Sequence, residues 1–111
     1  MTLLVRRTLE PDGSMLVTLG FEESPWHVHP ELFSSDLPEV AALSIVDDVI
    51  SDRMVIVVDR SDGDLYISLL DTIEELLEFS GTYAPLEFRF WSGRRIARAE
   101  LLEGSVTYKP F

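Results

Sequence analysis

The stretch RMVIVVDRSDGDLYISLLD, residues 53–71, decides how this chain folds. Met54 to Val58 is an unbroken aliphatic run, whereas a strand with one wet face alternates apolar and polar residues. Such a run predicts a strand covered on both faces, or nearly so, and therefore one at the centre of a sheet. Asp59 and Arg60 end the run, Ser61-Asp62-Gly63-Asp64 supplies turn residues, and Leu65 to Leu70 resumes β-forming side chains. Two apolar arms around a polar, glycine-containing turn predict an antiparallel hairpin.

Upstream, residues 37–51 repeat apolar side chains at helical spacing. Ala42, Ile45, Val46, Val49 and Ile50 make one stripe for a sheet to cover. Asp36 is placed to cap this helix, Pro38 suits its first turn, and Glu39 stands three residues after the cap in a capping-box position. Glu39, Ser44, Asp47, Asp48 and Ser51 are left for the solvent side. Downstream, Thr72 with Glu75 opens a short helix that carries Ile73, Leu76 and Leu77 on one side, and Gly81 ends it.

Towards the ends of the chain, LLVRRTLEPDGSMLVTLGFE (3–22) reads as a hairpin turning at Pro11-Asp12-Gly13. The last third, PLEFRFWSGRRIARAELLEGSVTYKPF (85–111), reads as two or three antiparallel strands. If Ser92-Gly93 is a two-residue turn, Phe88 stands opposite Ala97, and Glu87 opposite Arg98 as a pair of opposite charges; Ser-Gly is weaker than Asn-Gly for this turn, so a longer loop is the alternative. Phe88 and Phe90 then face the core while Arg89 and Trp91 point outward. The expected architecture is a single α+β domain over residues 1–111. Its antiparallel sheet is built from two hairpins and a C-terminal meander, packed by one long helix and one short helix.

With 111 residues, 46% of them apolar, the chain can build a core without covalent staples. Cysteine is absent, which excludes disulfides, thiolate metal sites and a cysteine nucleophile, and makes the cytosol the natural compartment. MTLLVRRTLE lacks the charge order of a signal peptide, and no apolar run approaches the roughly 20 residues of a spanning helix. Twenty acids oppose 9 bases, a net charge of −11. Residues 22–78 concentrate the imbalance, with 15 acids and 2 bases. Phosphate backbones and anionic lipids are repelled by such a surface, so neither nucleic acid nor membrane is the expected partner. A basic protein is attracted by it.

Candidate chemistry gathers in SPWHVHPE (24–31), which holds both histidines of the chain. In an extended segment His27 and His29 point the same way, so both imidazoles can reach one ion. Glu23, Glu31 or Asp36 would have to complete the ligand set. HVHP resembles the H-x-H-P core of the JAMM/MPN zinc isopeptidases. That resemblance implies zinc on His27 and His29, a third ligand from a downstream Ser-x-x-Asp, and Glu22 or Glu23 as general base. The expected serine position holds Pro38, and the nearest Ser-x-x-Asp, Ser44 to Asp47, is out of register. Elsewhere there is no G-x-S-x-G elbow and no Gly-rich phosphate loop.

A small acidic chain without a complete catalytic set is suited to binding. GFEESPWHVHPEL (20–32), with this overall character, resembles the immunity proteins of bacterial toxin systems. The resemblance implies a cofactor-free protein that neutralises a toxin, often a basic nuclease, by covering its active site or an adjacent surface. Asp47, Asp48, Asp52, Glu74, Glu75 and Glu78 are the candidates for the electrostatic contact, and Trp26 and Trp91 for its anchors. A homo-oligomeric accessory subunit, associating through the meander's edge, is the third reading.

Overall fold

The computed structural model describes residues 1–30, 37–60, 65–71 and 86–111. Strands β1 (Leu3–Leu9), β2 (Met15–Phe21) and β3 (His27–Val28) pair antiparallel, in that order. Helix α1 (Pro38–Ile50) follows. Strands β4 (Ile56–Asp59), β5 (Tyr66–Leu69), β6 (Leu86–Arg89) and β7 (Arg95–Ile96) form a second antiparallel sheet in the order β5-β4-β6-β7, and α2 spans Arg98–Glu103. The fold is α+β, with its strands divided between two sheets. The turn at 61–64, the short helix expected from Thr72 and the cap expected at Asp36 lie outside the described residues.

The aliphatic run has the central place its composition demands, since β4 pairs with β5 on one side and β6 on the other. Ile56 and Val58 are buried with Phe21, Val49, Met54, Ile67 and Leu69. Val55 is buried on the opposite side with Leu70, Phe88, Phe90 and Leu101, and Val57 half-buries against that group. The first sheet uses one face, on which Val17, Leu19 and Val28 pack with Ala42.

Both tight hairpins close through the same loop. At Pro11-Asp12-Gly13 the Gly13 amide donates to the Glu10 carbonyl at 3.0 Å and the Glu10 amide to the Ser14 carbonyl at 2.8 Å. Trp91-Ser92-Gly93 repeats this with Phe90 and Arg94 at 3.0 and 2.9 Å, and both glycines have positive φ, 87° and 101°. A three-residue loop needs that backbone at its last position. Of the two turns the sequence allows here, the longer loop forms in place of the two-residue turn at Ser92-Gly93, which corrects the register: Phe88 faces Ile96 and Arg89 faces Arg95. Glu87 still finds cations, Arg95 at 3.0 Å and Arg60 at 2.7 Å, in place of Arg98.

Arg98 begins α2 instead of continuing a strand. Residues 98–103 are good helix formers, the Ala97 amide donates to the Glu100 carboxylate at 3.1 Å, and Gly104 ends the helix at φ 73°. The meander is thus a hairpin followed by a helix.

Leu37 holds the N-cap position of α1 and makes no side-chain capping bond. Ala41, Ala42 and Val49 are buried, while Ile50 is half exposed. Asp48, expected on the solvent side, is buried at 8% exposure. It stands seven residues after Ala41 and three after Ile45, which puts all three on one helix face.

Besides the apolar group that Phe21 shares with Ile56 and Ile67, a hydroxyl ties the two sheets together. Ser24, in the turn between β2 and β3, accepts from the Ile67 amide at 2.8 Å and donates to the Ile67 carbonyl at 3.0 Å. The N–H and C=O of Ile67, on the outer edge of β5, are thereby both satisfied from the first sheet. Gly20 permits the close approach of this turn, because a Cβ there would lie 2.5 Å from the Trp26 carbonyl oxygen. Ser24→Ala is expected to lower stability by about 1–3 kcal/mol, the cost of leaving buried polar groups unpaired. Urea unfolding checks this.

Candidate functional site

The turn that joins the sheets also carries Trp26, His27 and His29. Gly20 and Leu19 pair with His27 and Val28, which fixes this segment as an edge strand with Val28 inward and His27 exposed. The two imidazoles meet edge to face with centroids 5.5 Å apart, as same-side residues of a strand should. His27 Nδ1 lies 3.1 Å from the Pro25 carbonyl; as the protonated nitrogen it donates there and leaves Nε2 as the lone-pair atom. His29 is half-buried, and its Nδ1 is shielded from solvent. Among the described residues no group of three His, Asp or Glu side chains converges to hold a metal ion; Glu31 and Asp36 lie outside them. Glu23 accepts from the Thr2 amide at 3.0 Å, and that bond holds its carboxyl below the usual range.

Trp26 stands between two hollows. One is a cleft of about 380 Å³ whose walls include Trp26, Phe88, Phe111 and Tyr66, with Asp59 and Asp71 among its polar groups. The other, about 300 Å³, opens on the outer face of the first sheet and is lined by Arg6, Thr18, Glu22, Trp26 and His27. Trp26 itself is half-buried, 6.0 Å from the Phe21 ring and edge-on to Phe111 at 5.8 Å. An aromatic wall beside carboxylates suits side chains that combine an apolar stem with a positive end.

The other residues singled out by the sequence are dispersed. Asp47 bonds Arg53 at 2.8 Å on the surface. Asp48 receives Arg53 at 3.1 Å and Lys109 at 2.7 Å. Burial pushes the Asp48 carboxyl up, but the hydrogen bonds from Lys109 and Arg53 outweigh it and hold the group below the ordinary aspartate range. Asp52 sits in the left-handed region at φ 58°, where aspartate is better tolerated than most residues, and accepts from the Ser92 amide at 3.0 Å. Its bond to Ser92 lowers its pKa. Trp91 half-buries against the apolar group around Ile56. Glu74, Glu75 and Glu78 are outside the described residues.

Sequence reasoning missed Lys109, Phe111 and Ser24. Lys109 is the only lysine of the chain, a composition signal, but nothing in the sequence points from it to a carboxylate 61 positions away. No family model, curated protein or solved structure matches this chain. Among the described residues no helix is long and apolar enough to cross a membrane.

Because the folded-state pKa of Asp48 is depressed, its contribution to stability is complete above the usual carboxylate range and is lost as pH falls through the lowered value. Asp48→Asn is expected to cost about 1–3 kcal/mol at neutral pH, since its two cations are half exposed and can rehydrate. The variant should also show a shallower acid limb in unfolding followed from pH 7 to pH 2.

Proposed function

We propose that this protein is a non-enzymatic, cytoplasmic binding protein that engages a basic protein partner through an acidic surface, in the manner of immunity proteins acting on a bacterial toxin. The placement of charge carries this reading. Arg7, Arg53, Arg60, Arg95 and Lys109 are each engaged by a carboxylate of the same chain. Glu31, Asp36, Asp62, Asp64, Glu74, Glu75 and Glu78 fall in segments 31–36, 61–64 and 72–85, which contain no lysine or arginine. The excess negative charge therefore belongs disproportionately to these segments, and Glu74, Glu75 and Glu78 are its densest group. Asp47 and Asp52 contribute to the same field, while Asp48 acts inside the fold. Trp26, beside an acid-lined aromatic cleft, is the proposed anchor.

The test starts from the neighbouring genes: a toxin with a basic domain found there is co-expressed with this protein. Protection of the cell and a complex that weakens with salt are expected. Glu74→Lys, Glu75→Lys and Glu78→Lys together should slow association by about tenfold or more at low ionic strength. No protection, or an association rate indifferent to both salt and these reversals, would remove the reading.

A second reading, zinc bound at His27 and His29 as in a JAMM-like hydrolase, is favoured by the facing imidazoles and by the Pro25 carbonyl that orients His27. Calorimetric titration with zinc decides it. Stoichiometric binding lost in His27→Ala and His29→Ala supports a metal site, and absence of binding removes it.

A further inference from the structure

Residues 105–111 cross the molecule as a strap. Val106 is buried, and Tyr108 packs with it on the group around Phe88 and Leu101. The Lys109 amide donates to the Arg53 carbonyl at 2.6 Å, and the Phe111 amide to the Leu70 carbonyl at 3.1 Å. The Phe111 ring then lies edge-on to Trp26 and forms part of the cleft wall. A side-chain bond ties it to α1: the Lys109 ammonium, more than half exposed, donates to buried Asp48 at 2.7 Å.

We propose that this strap is a latched cover over Trp26, with Lys109 and Asp48 as the latch. Breaking the latch lets Phe111 leave Trp26 and bares the aromatic site that a partner needs. That last step rests on the protein-binding reading, whereas the opening itself does not. The outer strap joins neither sheet: main-chain bonds from Lys109 and Phe111, the Lys109–Asp48 ion pair and the packing of Phe111 beside Trp26 hold it. The body beneath is held by two strand ladders. A segment so fastened opens at lower free energy than the whole. Asp48 faces Lys109 from the strap and Arg53 from the approach to β4, and Asp47 shares Arg53. Loss of Lys109 therefore leaves the buried carboxylate paired with Arg53, so the latch can open while the body stays folded. Since those bonds depress the Asp48 pKa, the latch holds throughout the neutral range and responds to displacement of Lys109, not to mild acid.

The opening is read without any partner, by amide exchange and by the effect of a soluble paramagnetic probe on the indole N–H of Trp26, with Trp91 as internal reference. In Lys109→Gln the amides of Lys109 and Phe111 are expected to exchange about tenfold faster, and the Trp26 indole to relax about threefold faster, while the amides of β2 and β4 are unchanged. Lys109→Arg should restore the native values. Phe111→Ala should expose Trp26 with the latch intact. Unaltered exchange and relaxation in Lys109→Gln would overturn the proposal. So would acceleration of β4 together with the strap, because the strap would then belong to the global unfolding unit. Failure of the toxin-protection test leaves these readouts intact.

Discussion

A carboxylate that is nearly closed off from water, as Asp48 is, must be met by donors, and meeting it brings the end of α1 together with a segment 61 residues further on. Arg53 lies just beyond α1, on the way into the central strand. Lys109 lies in the strap that follows α2. Their convergence on the last turn of α1 sets where the helix ends against β4 and where residues 105–111 run. The same ion pairs draw the Arg53 carbonyl to the Lys109 amide, so the main chain follows the side chains. An apolar residue at position 48 could fill the same volume, but it would not choose between possible paths for the strap. Directional, charge-assisted bonds do.

The hydroxyl of Ser24 does comparable work at the other side of the molecule. An edge strand exposes unpaired backbone groups that invite another strand. Here the outer edge of β5 is met at Ile67 by a side chain from the first sheet, in both donor and acceptor roles. The turn that provides Ser24 also places Trp26, His27 and His29, so the joint between the sheets and the candidate site are one piece of chain. Gly20 makes this possible through an absent side chain.

The electrostatic character of the surface follows from subtraction. Arg7, Arg53, Arg60, Arg95 and Lys109 are met by carboxylates within a few ångströms, which neutralises them locally. The excess acid belongs to the segments that carry no base. Charge in this form gives rate and selectivity in association. The aromatic surface around Trp26 is the apolar part of the proposed contact, and Phe111 already occupies some of it.

Much of this architecture is written in short-range patterns. The run from Met54 to Val58 determined a strand buried on both faces, the 3.6-residue spacing determined α1, and Pro11-Asp12-Gly13 determined the first hairpin. Each of these is a property of neighbours along the chain, where backbone geometry and solvent partition decide. Even the alternation of His27 and His29 fixed their common side. Where two local solutions were close in energy, as between a two- and a three-residue loop before Arg94, the pattern did not choose; pairing of Phe88 with Ile96 against the core did. Asp48 was placed outside because a carboxylate alone is costly to bury. Only the tertiary structure supplied Arg53 and Lys109, and with them a reason to bury it. Long-range convergence of polar groups leaves no periodic trace in a single sequence, since any one of its members is an ordinary surface residue until the chain has folded around it.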